Sequence, residues 1–174
     1  VNLQGVKYYS TLIDMLEHHN IEPFVTLYHW DLPSKLQQKY GGWQNISTAD
    51  RFEEYAQTAF RFFGDKVKKW VTFNEPRETA LGGYEHGYMA PGLRLDGYGT
   101  YNTSYAILMA HAKAYRLYES KFKSTQNGKI GITLNCDWGE IKKPLDLEYQ
   151  EAQNRYLQWY MGIWAHPIFK RRLS

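Results

Sequence analysis

The chain has 174 residues, a formal net charge of +3, 43% hydrophobic and 22% charged residues, and one cysteine, Cys136. That length supports one domain with a sizeable core. The charge is too small, and the Lys and Arg too scattered apart from Lys170-Arg171-Arg172, to argue for nucleic acid; no apolar run can span a membrane, and a lone cysteine excludes an internal disulfide.

Residues 5–19 set Val6, Tyr9, Ile13 and Leu16 at helical spacing. His18 and His19 end that helix, where cations suit its dipole; adjacent histidines point apart on a helix and do not share a metal. Pro23–Tyr28 reads as an apolar strand running into His29-Trp30-Asp31-Leu32-Pro33. Gly41-Gly42-Trp43 breaks the chain, and Ser47 or Thr48 offers an N-cap to an amphipathic helix over 49–63, ended by Gly64. The run 67–74 reads as a strand buried on both faces, finishing in Asn74-Glu75-Pro76. Pro76 has no N–H and favours an extended Glu75. Residues 77–101, rich in Gly and Tyr, read as a long loop whose aromatics argue against disorder. A helix is predicted over 103–122 with Tyr105, Leu108, Ala112, Tyr115 and Tyr118 in register, then a strand over 129–135, then a helix over 146–163.

Three strands, each followed by a helix, predict right-handed parallel βα units. An open doubly wound sheet and a (β/α)8 barrel both fit. No Gly-x-Gly-x-x-Gly follows a strand, which weakens a dinucleotide reading. A closed barrel needs about 250 residues.

In α/β folds ligand sites collect at the carboxyl ends of strands. Two strands here end in polar side chains followed by proline, and the third ends in Asn135. Glu75 is the candidate for proton transfer, because a carboxyl buried at a strand end, beside another carboxylate, holds its proton to higher pH. Asn74 can orient a ligand hydroxyl, His29 can donate to one, and Trp30 offers a ring and an indole N–H. The aromatic content of 17%, with 15 Tyr and 6 Trp, suits carbohydrate as well as core packing. No paired cysteines, His-Glu-x-x-His, Gly-x-Ser-x-Gly or phosphate loop occurs, so neither a metal nor another cofactor is expected. Asn45-Ile46-Ser47 and Asn102-Thr103-Ser104 match the N-glycosylation tripeptide in predicted loops before helices, where Ser47 and Ser104 serve equally as caps.

His29-Trp30-Asp31-Leu32-Pro33 and Thr72-Phe73-Asn74-Glu75-Pro76 together resemble glycoside hydrolase family one, the β-glucosidase family. Gly41-Gly42-Trp43, Ala90-Pro91-Gly92 and Trp164-Ala165-His166-Pro167-Ile168-Phe169 follow in the same order, so the resemblance runs to about residue 169 of a single domain spanning 1–174. It implies a partial (β/α)8 barrel covering roughly the third to fifth βα units. It implies that Glu75 is the general acid/base of a retaining hydrolase acting on terminal β-glycosides. Asn74 would hold the sugar 2-hydroxyl and His29, with Trp30 beside it, the other glycone hydroxyls; Asn135 would face the aglycone. A β-glucoside or related oligosaccharide is the partner implied, and no oligomeric state is.

The family nucleophile lies in a Glu-Asn-Gly setting that this sequence lacks. Lys170-Arg171-Arg172-Leu173-Ser174 stands where the family usually continues Gly-Asp-Tyr-Pro. The chain therefore reads as an internal fragment of a longer enzyme, an acid without its nucleophile and inactive alone. A non-catalytic binding or receptor-like relative is the alternative. The tripeptides at Asn45 and Asn102 lean towards a secreted or lysosomal-type protein.

Overall fold

The computed structural model describes residues 1–170; Arg171–Ser174, most of the atypical tail, lie outside the described residues. In chain order it comprises α1 (Leu3–His18), β1 (Phe24–Tyr28), α2 (Ser34–Tyr40), α3 (Ser47–Phe63), β2 (Lys69–Asn74), α4 (Pro76–Glu78), α5 (Gly99–Lys121), α6 (Lys123–Gln126), β3 (Lys129–Thr133), α7 (Leu147–Leu157) and α8 (Ile163–Phe169). A 3₁₀ turn (Gly42–Gln44) precedes α3, and π-helical turns follow α4 (Thr79–Glu85) and α7 (Gln158–Gly162). The strands form one parallel sheet in the order β1-β2-β3. Phe24 pairs with Lys69 and Tyr28 with Phe73; on the other side Lys69 pairs with Lys129 and Asn74 with Thr133.

β2 is the central strand and is buried from Trp70 to Phe73. The Phe73 ring lies 4.5 Å from Phe52 of α3 and 5.3 Å from both Trp43 and Tyr28, while Trp70 meets Phe60 edge-on at 5.1 Å. This aromatic cluster holds the sheet against α3. Tyr84 clamps the opposite corner: its hydroxyl donates to Gln37 Oε1 at 2.8 Å and accepts the Trp43 N–H at 3.0 Å. Gly42 sits beneath it at φ +62°, where a Cβ would stand 2.2 Å from that hydroxyl, so position 42 requires glycine on both conformational and steric grounds.

Several expectations change. The predicted loop 77–101 begins as helix: Pro76 opens α4, the π turn continues it to Glu85, and α5 starts at Gly99. Gly82 and Gly83 mark close packing there, since a Cβ on Gly83 would lie 2.5 Å from the Ala90 carbonyl oxygen. The buried face of α5 carries Ala106, Ile107, Ala110, His111, Ala114, Leu117 and Tyr118, whereas Tyr105 and Tyr115 are exposed. Small residues let the helix lie close to its neighbours, and the tyrosines point away. On α1 only Ile13 is buried. Asn45, not Ser47 or Thr48, caps α3: its Oδ1 accepts the Ser47 N–H at 2.9 Å, and Thr48 donates instead to the Gly42 carbonyl.

The β2–β3 register slips between Val71 and Asn74. At that slip the buried Thr72 hydroxyl donates to the Gly131 carbonyl at 3.1 Å, and it lies 2.8 Å from His111 Nδ1. A hydroxyl has one proton, so the carbonyl's claim on it leaves His111 Nδ1–H as donor in the second bond. Burial lowers the His111 pKa to about 4. The unfolded chain binds a proton on this imidazole below about 6.5 and the folded chain does not, so its contribution is full above that value and lost as pH falls towards 4. Each pH unit in that window is expected to cost about 1.4 kcal/mol. Urea unfolding at a series of pH values should show a slope that His111→Phe reduces; equal slopes in the two proteins would refute the buried neutral imidazole.

Candidate active site

The parallel sheet delivers its three carboxyl ends to one edge. β1 stops at Tyr28 and hands on to His29 and Trp30; β2 stops at Asn74 and hands on to Glu75; Asn135 follows β3 two residues after its end. His29 is exposed, and its ring packs edge-on at 5.5 Å against Trp30. The Trp30 indole N–H donates to the Asn74 backbone carbonyl at 3.0 Å. That donor is thus committed to joining β1's end to β2's, and the half-open ring face is what Trp30 presents outward. Asn74 and Glu75 are both half-buried.

Glu75 is not extended. Its backbone lies at φ 45°, ψ 62°, in the left-handed region, and Trp30 likewise has φ 73°. The steric bias from Pro76 yields to hydrogen bonds on both sides: the Glu75 N–H donates to Thr133 O at 2.9 Å, and the Glu75 carbonyl accepts from the Glu78 N–H at 3.0 Å. The chain leaves β2 through one left-handed residue and enters α4 at once. The other non-glycine residues at positive φ, Asn20 and Asn127, are of the type that tolerates it; Glu and Trp are not, and both stand at strand ends in the candidate site.

Arg77 and Glu78 were missed by sequence reasoning. Glu78 Oε1 accepts from the Asn135 amide at 2.9 Å and pairs with Arg77 at 3.1 Å, with both charged side chains about four-fifths buried. The Arg77 guanidinium stacks over the Tyr160 ring at 3.6 Å. Glu78 therefore fixes which way the Asn135 amide turns, and Arg77 ties the turn after Glu75 to the C-terminal helical segment. The only sequence signal was a charged pair directly after Asn-Glu-Pro; their partners lie far off in sequence. Asp31 and Asp137 also follow strand ends, and among the described residues neither is hydrogen-bonded to Glu75; Asp137 lies instead beside the Tyr160 hydroxyl.

Asn45 and Asn102, the candidate glycosylation positions, lie at the starts of α3 and α5, the long helices that follow β1 and β2. Both are exposed. Asn45 precedes α3 as expected, but Asn102 lies within α5, with Thr103 and Ser104 buried, so Ser104 is not a cap. Among the described residues no cluster of three or more His, Cys, Asp or Glu could hold a metal, and no helix is long and apolar enough to cross a membrane.

The family model described as glycosyl hydrolase family 1 matches residues 1–173. Lactase-like protein of Homo sapiens is 53% identical over 172 residues, which is 97% of this chain and 30% of that protein. Aphid myrosinase superposes with a TM-score of 0.95 at 44% identity, over 98% of this chain and 36% of its own. The β-glucosidase from Trichoderma harzianum does so with a TM-score of 0.95 at 36% identity, over 100% and 37%. The chain thus spans about a third of the length of each of these three proteins.

A left-handed Glu stores strain of about 1–3 kcal/mol. Glu75→Gly should release part of it and raise the melting temperature, while Glu75→Gln, which keeps the Cβ, should leave it unchanged. A glycine variant that melts at or below the parent would show that the conformation is unstrained.

Proposed function

Since the chain belongs to glycosyl hydrolase family 1, we propose that it is the acid/base portion of a retaining β-glycosidase of the β-glucosidase type. It would comprise roughly the third to fifth βα units of an eight-stranded barrel. The observation that carries this reading is Glu75 itself. It is a carboxyl at the end of a buried central strand, held in a left-handed conformation, beside Asn74 and within the edge formed by His29, Trp30 and Asn135.

In this reading Glu75 begins protonated. It gives its proton to the glycosidic oxygen as the bond to the anomeric carbon breaks, so the leaving group departs as a neutral alcohol. A second carboxylate, about 5–5.5 Å away in retaining enzymes and outside this chain, forms the bond that replaces it. Glu75, now ionised, takes a proton from the water that releases the sugar. Asn74 binds the 2-hydroxyl, where hydrogen bonding strengthens as the ring gains oxocarbenium character. His29 donates to the glycone, with the Trp30 ring beside it. Asn135, its amide held by Glu78, faces the aglycone. No metal or cofactor takes part. Asn45 is the better placed of the two tripeptides for a glycan, because attachment at Nδ2 leaves Oδ1 free to cap α3. A glycan there would accompany a secreted or lysosomal-type location.

The purified 174-residue chain is expected not to hydrolyse an aryl β-glucoside; hydrolysis that Glu75→Gln abolishes would refute the assignment of an acid without a nucleophile. In a longer protein carrying these residues, Glu75→Gln should lower kcat/KM, which reports the acid-assisted first step, by about 10²–10⁴ on poor leaving groups. It should cost much less on activated aryl glycosides, which depart without a proton. A loss independent of leaving group would assign Glu75 another role.

A further inference from the structure

The junction of α5 and α8 encloses a cavity of about 10 Å³, bounded by Arg77, Leu81, Thr100, Ser104, Ile163 and Trp164. Thr100 and Ser104 are one turn apart on α5 and share a face. Thr100 is 7% exposed, Ser104 3% and Trp164 2%. Thr100 Oγ1, Ser104 Oγ and Trp164 Nε1 are all buried, and none has a hydrogen-bond partner among the described residues. Native proteins rarely leave even one such atom unsatisfied; here three belong to residues that line one cavity.

We propose that this cavity is a binding site for a single structural water molecule, held by Thr100 Oγ1, Ser104 Oγ and Trp164 Nε1. The volume is at the lower end of what one water needs and leaves no room for anything larger, and a buried water takes two to four polar partners. The chemistry selects the occupant. An indole N–H only donates, so the ligand must accept; a hydroxyl does both, so the ligand can also donate. Water accepts from Trp164 and donates its two protons to Thr100 and Ser104, which gives each of the three atoms a partner. A cation is opposed by the indole N–H and by the Arg77 guanidinium at the wall. An apolar guest would leave all three atoms unpaired. The water then joins α5 to α8 beside Arg77, two residues beyond Glu75, so it braces the turn that carries the candidate acid against the C-terminal helices.

A crystal structure of the full 174-residue chain, at a resolution that shows ordered solvent, should reveal one peak within hydrogen-bond distance of all three atoms. An empty cavity, or the two hydroxyls turned onto backbone carbonyls, would overturn the proposal. Thermal melting gives a second readout, using Thr100→Val, Ser104→Ala and the double variant. If one water serves both hydroxyls, losing either partner loosens it. Each single variant should then lower the melting temperature by about 2–4 °C, and the double variant by little more than either. Losses that simply add, or no loss at all, would mean that the hydroxyls do not share a ligand.

Discussion

The organisation of this chain depends on one backbone conformation that its residue type disfavours. Glu75 occupies the left-handed region at the end of β2, and the structure around it keeps it there. Its N–H is bonded to β3 and its carbonyl to the first turn of α4, while the strand before it is anchored through the Trp30 indole. A strand followed by a gradual loop would leave the carboxyl free to sweep. A strand that turns within one residue into a helix holds it within a narrow arc, which proton transfer to a defined oxygen requires. The strain is offset by the core that β2 shares with α3, where Phe73, Phe52, Trp43 and Tyr28 interlock.

The polar groups around the site divide by task. Trp30 uses its N–H on Asn74's backbone, and Glu78 spends its carboxylate on Asn135 and Arg77. Neither keeps that group free for ligand. They hold Asn74 and Asn135, two of the residues proposed to meet the ligand. Thr72 and His111 act deeper still, repairing the register slip between β2 and β3 with a side-chain bond where the ladder is interrupted. A hydroxyl and an imidazole in the core are thereby accounted for by the geometry of a single irregular strand.

Much of this was legible from the residues. Strands 24–28, 69–74 and 129–133 were anticipated because β-branched and aromatic runs end in polar residues or proline, and this signal needs no partner. The candidate site residues stand out for the same reason: they are the polar ends of apolar strands. What escaped depends on contacts distant in sequence. α2 has no buried residue, so its Lys- and Gln-rich segment carries no periodic apolar face. The segment after Glu78 looked like loop because Gly82 and Gly83, which permit the close approach of residues 88–91, are also the residues of turns. Tyr105 and Tyr115 set a conspicuous helical rhythm on the outward face of α5, while Tyr118 and the alanines did the packing. The left-handed Glu75 ran against its proline neighbour's local rule, and only hydrogen bonds from β3 and α4 reverse that preference.

The connectivity of the sheet has a further consequence. β1 pairs with β2 and β2 with β3, each through a crossover between consecutive strands. No described strand pairing clasps the first unit directly to the last. Such a fold is divisible: a boundary between units severs contacts at the seam while every pairing within the piece survives. The backbone geometry at Glu75 is therefore portable, its hydrogen bonds coming from β3 and from the turn of α4 that follows it. The cost of division falls on the outer strands, whose backbone amides and carbonyls face outward along β1 and β3 with nothing in this sheet to receive them.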